Sequence, residues 1–286
     1  MKLAVLKCAE NPYRLALNID GQYLGIPKLP TLTSAMHLSL AQLRSLCEGD
    51  LGEQINGELI APVAPEIEVW GAGVTYLRSR DARKEESDVP DVYQRVYEAD
   101  RPELFFKGSA KRTRGSGANI GIRFDSATSI PEPEIAIYVN KFKEIIGYSI
   151  CNDVTSRAIE GENPLYLSQA KIYVGSAALG PDVTPAWLAP SPKEMVIRAR
   201  IIRGGSDIWN AETSLGSLNR KLEDLVDYAF RCQYFPDGLI LSTGTGIVPP
   251  LEISLQAGDQ VEISVVGLGV LSNKVIVIPE SPNESF

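Results

Sequence analysis

The sequence predicts an α+β chain, rich in strand, with a small N-terminal α+β unit over residues 1–64 and a larger β-rich domain over residues 65–286. Three observations lead there. Beyond residue 65 the chain is dominated by short apolar runs, several alternating with polar residues as half-buried strands do. Only two stretches, 34–47 and 217–230, carry apolar residues at helical spacing. Pro62 and Pro65 in "LIAPVAPEIEVW" punctuate the passage between the two units.

Taken in order, "KLAVL" and "YRLALNID" read as strands with a turn at Gly21, and "SAMHLSLAQLRSL" as an amphipathic helix opened by Ser34 as N-cap. A strand follows from Ile67 to Trp70. Residues 77–100 are dense in both signs of charge, poor in apolar anchors and broken by Pro90; they read as a solvated helical excursion or as a lid. "ELFFK", "EIAIYV", "EIIGYSI", "MVIRARIIR", "LILSTG", "DQVEISVVG" and "NKVIVIP" are the strands of the larger domain. "SLNRKLEDLVDYAF" interrupts them as one helix, with Leu218, Leu222, Leu225, Val226 and Phe230 on a shared face.

Composition narrows the function classes. The 286 residues hold 36 acidic and 28 basic side chains, a net charge of -8, so no basic surface awaits nucleic acid. No run approaches the ~20 apolar residues of a membrane span, and the N-terminal apolar segment is too short for a signal peptide. The four cysteines, Cys8, Cys47, Cys151 and Cys232, are scattered, as expected of a cytoplasmic protein without a disulfide framework or a zinc site. The one histidine, His37, falls in the N-terminal helical pattern, which leaves general acid–base work to Lys, Glu, Asp, Tyr or water.

"SIPEPEIAIYV" sets Glu132 and Glu134 on one face of a strand, with Ile135, Ile137 and Val139 on the other. Two readings stand: a charged, solvated edge, or half of a metal cage. Asp153, at the end of the apolar run Ile145 to Ile150, is either a helix N-cap or a third ligand. Three oxygen donors without histidine or thiolate favour a hard cation, Mg²⁺ or Mn²⁺.

The ordered motifs "PEPEIAIYV", "GYSICNDVTSRAIE", "AKIYVGSAALGP" and "LSTGTGIVPP" resemble the fumarylacetoacetate hydrolase superfamily from about Val69 onward. The resemblance implies a mixed β-sandwich roll and assigns the metal to Glu132, Glu134 and Asp153. It turns Arg157, Lys171, Thr245, Tyr76 and Glu160 toward the substrate. Departures matter: where the family has N-Y-x-x-H, this chain has Thr75 for the asparagine and Ser79 for the histidine; Glu160 replaces a glutamine and Tyr173-Val174 an aromatic–aspartate pair. Hydrolysis by a histidine-activated water is therefore not expected.

"RPELFFK" and "ENPLYL" are similar to segments of the 2-keto-3-deoxy-D-arabinonate dehydratases, which also lack that histidine. The similarity places Glu103 at the active site. It implies a Mg²⁺-dependent hydro-lyase acting on a 2-keto-3-deoxy sugar acid to give a 2,5-dioxopentanoate-type product through a metal-stabilised enolate. Lys171 and Glu103 would share the base and acid roles, in either order. A homodimer or higher homo-oligomer is implied as well. The alternatives are an acylpyruvate hydrolase or 2-keto diacid decarboxylase of the same superfamily, an inactive sugar-acid binder, and a nucleotide-binding protein, for which "GAGVTY" is a weak near-match. Read as a vacant cage of like charges, the triad should tolerate Glu132→Gln or Asp153→Asn with loss of activity but little loss of fold.

Overall fold

A computed structural model describes residues 1–86, 90–250 and 252–283. Among these the strands form an 11-stranded sheet, a 5-stranded sheet and a 2-stranded pair. Along the large sheet the order is Gln22–Gly25, Arg14–Ile19, Lys2–Lys7, Ala177–Pro185, Ile145–Asp153, Pro133–Val139, Leu239–Thr245, Glu68–Gly73 and Glu103–Gly108. The smaller sheet runs Ser206–Ser214, Val196–Arg203, Gln260–Val265, Gly269–Ile278 and Asn119–Arg123. The architecture is the mixed, sheet-rich one the sequence predicts, with no closed barrel.

The strand Pro133–Val139 is central, not a solvated edge. It pairs antiparallel with Ile145–Asp153 on one side and with Leu239–Thr245 on the other, and all its residues are buried. Ile135, Ile137 and Val139 point into the core between the sheets, against Ile197, Ile201 and Ile263. Ala136 and Tyr138 face a second core shared with Leu3, Leu17, Leu43 and Val183. The N-terminal strands join this body directly, since Lys2–Lys7 pairs with Ala177–Pro185 at Leu3↔Val183. Glu132 and Glu134 therefore sit where both strand faces are dry.

Two helical expectations are revised. The stretch 34–47 is two helices, Leu32–Met36 and Leu40–Cys47, each opened by a capping box, Thr31 with Ser34 and Ser39 with Gln42. Ser34 thus closes a box at N3 instead of serving as N-cap, and His37 ends the first helix at the surface, 2.8 Å from Asp237. The second helix is shorter than its pattern, Leu222–Ala229 after a 3₁₀ turn at Leu215–Ser217. The intervening backbone is drawn elsewhere: Asn219 donates its N–H to the Thr75 carbonyl, and Arg220 donates to the carbonyls of Val96, Ala99 and Asp100.

Those Arg220 bonds cap the end of the helix Pro90–Glu98, which with Leu77–Glu86 makes up the charged excursion. Residues 87–89 of the expected lid lie outside the described residues. Tyr93 and Ala82 are buried, so the pair is anchored and not merely solvated. Arg220→Ala should raise tryptic cleavage within 77–100 roughly tenfold, the ~1.4 kcal/mol of a charge-assisted hydrogen bond. Unchanged cleavage would show that the anchor lies elsewhere. No helix among the described residues is long and apolar enough to cross a membrane.

Candidate active site

Antiparallel register builds the carboxylate cluster. Pro133↔Asn152 and Glu134↔Cys151 are opposite pairs, and Asp153 donates its backbone N–H to the Glu132 carbonyl at 2.9 Å. Opposite residues share a face, so Glu132, Glu134 and Asp153 project together. One carboxylate oxygen from each lies within 4.8 Å of those of the other two, and each residue is buried. Ser242 Oγ and the Gly244 N–H, the latter at 2.9 Å, donate to Glu134 Oε2. Gly244 has φ 92°, and a Cβ there would sit 2.0 Å from Thr75 Oγ1, so the loop needs glycine to bring that N–H inward.

Cations crowd the same space. Lys171 is fully buried, and its Nζ donates to Glu132 Oε2 at 2.6 Å, Asp153 Oδ2 at 2.9 Å and Thr155 Oγ1 at 2.7 Å. Lys107, also buried, places its Nζ 2.5 Å from Asp153 Oδ1 and donates to the Lys171 carbonyl. Arg157 bridges Glu132 Oε1 at 2.8 Å and Glu160 Oε2 at 2.7 Å. Glu132 and Asp153 each pair with buried cations, whereas Glu134 has no Lys or Arg among the described residues within ion-pair distance. Burial, with the Asp153 and Glu132 charges beside it, pushes its carboxyl up to about 8. The vacant cage of like charges is thus corrected: Glu132 and Asp153 are already neutralised by buried cations, and removing either strands a lysine.

The donor set fits a hard divalent cation. All three groups are carboxylates at mutual distances suited to one ion, and the crowding that holds a proton on Glu134 is relieved by positive charge. Glu132, Glu134 and Asp153 are the residues that would hold it.

The remaining expected residues fall around this centre. Glu103, Phe105 and Lys107 alternate onto one face of the strand Glu103–Gly108. Lys107 reaches Asp153, the Phe105 ring lies 5.7 Å from Lys171 Nζ, and Glu103 stands at the mouth beside Glu160. Glu103 lies over Gly73, its register partner, where a Cβ would come within 2.0 Å of Glu103 Oε2. That glycine belongs to "GAG", which is the end of a strand and not a phosphate loop. Gly73→Ala should displace the carboxylate and lower kcat about 100-fold through misplacement alone, with Mg²⁺ affinity unchanged. An unchanged kcat would remove Glu103 from the chemistry.

Thr245 pairs with Glu134 in register, but its hydroxyl donates to the Ile247 carbonyl at 2.9 Å. Tyr76 is buried, which together with the nearby Glu134 charge raises its phenol, and its hydroxyl has no hydrogen-bond partner among the described residues. Ser79 sits where the family's histidine would be. Its hydroxyl donates to the Tyr76 carbonyl at 2.8 Å and accepts the Tyr76 N–H, a local cap with no basic group. Sequence reasoning missed Lys107, Thr155 and Ser242.

Comparison with known proteins fits this geometry. Residues 68–276 match the family model described as fumarylacetoacetate (FAA) hydrolase C-terminal. The chain belongs to the fumarylacetoacetate hydrolase family. Within it, the chain is 45% identical over 217 residues to a probable 2-keto-3-deoxyxylonate dehydratase of Haloferax volcanii, covering 76% of this chain and 74% of that one. It is 38% identical over 226 residues to a 2-dehydro-3-deoxy-D-arabinonate dehydratase of Saccharolobus solfataricus, covering 78% and 76%. A solved family structure, 2-keto-3-deoxy-D-arabinonate dehydratase complexed with magnesium and 2,5-dioxopentanoate, superposes with a TM-score of 0.83 at 30% identity over 98% of this chain and 100% of that one.

Proposed function

We propose that this family member is a Mg²⁺-dependent dehydratase of 2-keto-3-deoxy sugar acids, removing water from a 2-keto-3-deoxypentonate to give 2,5-dioxopentanoate. The observation that carries the reading is Lys171 Nζ, 2.6 Å and 2.9 Å from two of three clustered carboxylates, in a buried site without histidine. The dehydratase names of its relatives agree with it.

A divalent cation held by Glu132, Glu134 and Asp153 supplies Lewis-acid polarisation of the 2-keto group. Lys171, at the end of the short helix Leu167–Lys171, is the group we place on the C3 proton, which it would accept as the neutral amine, the form that a cation held by Glu132 and Asp153 in place of its ammonium would favour. Glu103 is the group we place on the departing C4 hydroxyl, donating the proton with which it leaves as water. Arg157 fixes Glu132 and Glu160 relative to each other, and Lys107 ties Asp153 to the backbone of Lys171, so both are positioning residues. Phe105 keeps water from one side of Lys171. Tyr76 and Thr245 line the Glu134 side, where the Tyr76 hydroxyl is available to the substrate.

Ser79 serves as a local cap where the family's water-activating histidine would stand, and this disfavours acylpyruvate hydrolysis by that route. In the same reading the protein works in the cytoplasm on pentose-derived acids, as a homodimer built on its β-rich part. Its four free cysteines suit a reducing compartment.

Product identification tests the assignment. Chelator-treated protein, resupplied with Mg²⁺ and 2-keto-3-deoxypentonate, should yield 2,5-dioxopentanoate by NMR. Turnover of acylpyruvates or oxaloacetate in its place would assign the site to hydrolysis or decarboxylation, and ligand binding without turnover to a binder.

A further inference from the structure

The two ends of Lys171 are fixed by different neighbours. Its carbonyl accepts from Lys107 Nζ and from Ser176 Oγ, the latter at 2.9 Å. Its Nζ donates to Glu132 Oε2, Asp153 Oδ2 and Thr155 Oγ1 at 2.6, 2.9 and 2.7 Å. Thr155 is fully buried, and its backbone is pinned by pairing with Ile130 in the two-stranded sheet.

A cation in the cage would treat these three acceptors differently. Glu132 Oε1 is taken by Arg157 and Asp153 Oδ1 by Lys107, so the oxygens these carboxylates can turn to a cation are those that Lys171 now holds. Thr155 is the acceptor left to the lysine. Its hydroxyl carries one proton, donated to the Asp153 carbonyl at 2.9 Å, so toward Lys171 the oxygen can only accept. As a neutral amine, Lys171 keeps two N–H bonds and a lone pair. With one N–H tied to Thr155, the lone pair takes one of the two remaining tetrahedral positions on Nζ. In the metal-free site those two positions face Glu132 Oε2 and Asp153 Oδ2.

We propose that Thr155 is a positioning residue for the proton transfer: by accepting one N–H it aims the Lys171 lone pair into the carboxylate cage, where the 2-keto acid binds. This rests on the dehydratase reading above and deepens it. In the step so aligned the C3–H bond breaks and its proton goes to Lys171 Nζ. The electron pair left behind becomes the C2–C3 double bond, and the keto oxygen takes the negative charge. Thr155 exchanges nothing, since its own proton stays on the bond to the Asp153 carbonyl.

The test uses Thr155→Val and Thr155→Ala, which remove the acceptor at two side-chain sizes, and Thr155→Ser, which keeps it. Proton transfer is followed by NMR as Mg²⁺-dependent exchange of the C3 hydrogens of 2-oxobutanoate in D₂O, because that acid has no C4 hydroxyl to lose. Steady-state kinetics on 2-keto-3-deoxypentonate and Mn²⁺ binding by electron paramagnetic resonance complete the set. Thr155→Val and Thr155→Ala should lower exchange and kcat about 100-fold, with KM and Mn²⁺ affinity within about threefold of wild type, the cost of misaimed groups in an intact site. Thr155→Ser should return both rates to within about threefold. Wild-type exchange in the Val and Ala variants, a Ser variant as slow as they are, or a rate loss matched by weaker Mn²⁺ binding overturns the positioning role alone. A wild type that dehydrates the pentonate without exchanging 2-oxobutanoate takes the C3 proton away from Lys171, and the role of Thr155 with it. No turnover of the pentonate overturns the dehydratase reading itself.

Discussion

Glu134→Gln should abolish Mg²⁺ binding and lower turnover at least about 1,000-fold, the loss of ~4 kcal/mol of transition-state stabilisation, yet leave the fold as stable as the wild type or more so. The reason is local. Glu134 sits beside two other carboxylates, and burial with those charges pushes its carboxyl up to about 8. A neutral amide reproduces the form the metal-free site already favours, and its oxygen can still accept from Ser242 and the Gly244 N–H. The same shift sets a pH dependence. From the ordinary value of 4.5 up to about 8, the folded metal-free chain holds a proton that the unfolded chain has released. Folding is then linked to proton uptake, so this group's contribution is present below pH 4.5 and is lost as pH rises through 8. Melting with and without Mg²⁺ should show a metal increment that grows across this window in the wild type and is absent in Glu134→Gln. A flat increment would contradict the linkage.

Lys171→Met should have the opposite signature, with activity and stability falling together. Its ammonium is the shared partner of Glu132, Asp153 and Thr155 in a dry interior. Removing one member of such a network leaves buried charge uncompensated, which costs about 3–5 kcal/mol. Turnover should fall at least about 1,000-fold, the loss that follows from the proposed role of the Lys171 amine on the C3 proton. Asp153→Asn shares the stability loss, because Lys107 and Lys171 both lean on that carboxylate. Urea titrations and steady-state kinetics on the three variants separate the cases. A Lys171→Met protein as stable as the wild type would mean that the network does not bear on folding.

The glutamate pair was legible because strand alternation is a local rule: Glu132 and Glu134 must share a face. Asp153 was legible in part: its place at a strand end left N-cap and third ligand both open, and the family resemblance chose between them, since its partnership with Glu132 is made by register between separate strands. Lys107 was not legible. A lysine closing "ELFFK" reads as a solvated strand end, and its burial is decided by Asp153, 46 residues on in the sequence. The break at His37 could have been read from the successive capping boxes, whereas the continuous apolar spacing hid it. The strand Ser206–Ser214 was missed because "SDIWNAETS" is polar on a half-exposed edge, where pairing with Val196–Arg203 supplies what propensity does not.

The most direct measurement is a Mn²⁺ titration followed by electron paramagnetic resonance, on metal-stripped wild type and on Glu134→Gln. The account predicts one bound ion per chain in the wild type, displaced by Mg²⁺, and none in the variant. Equal occupancy in both proteins, or no ion bound by the wild type, would contradict it.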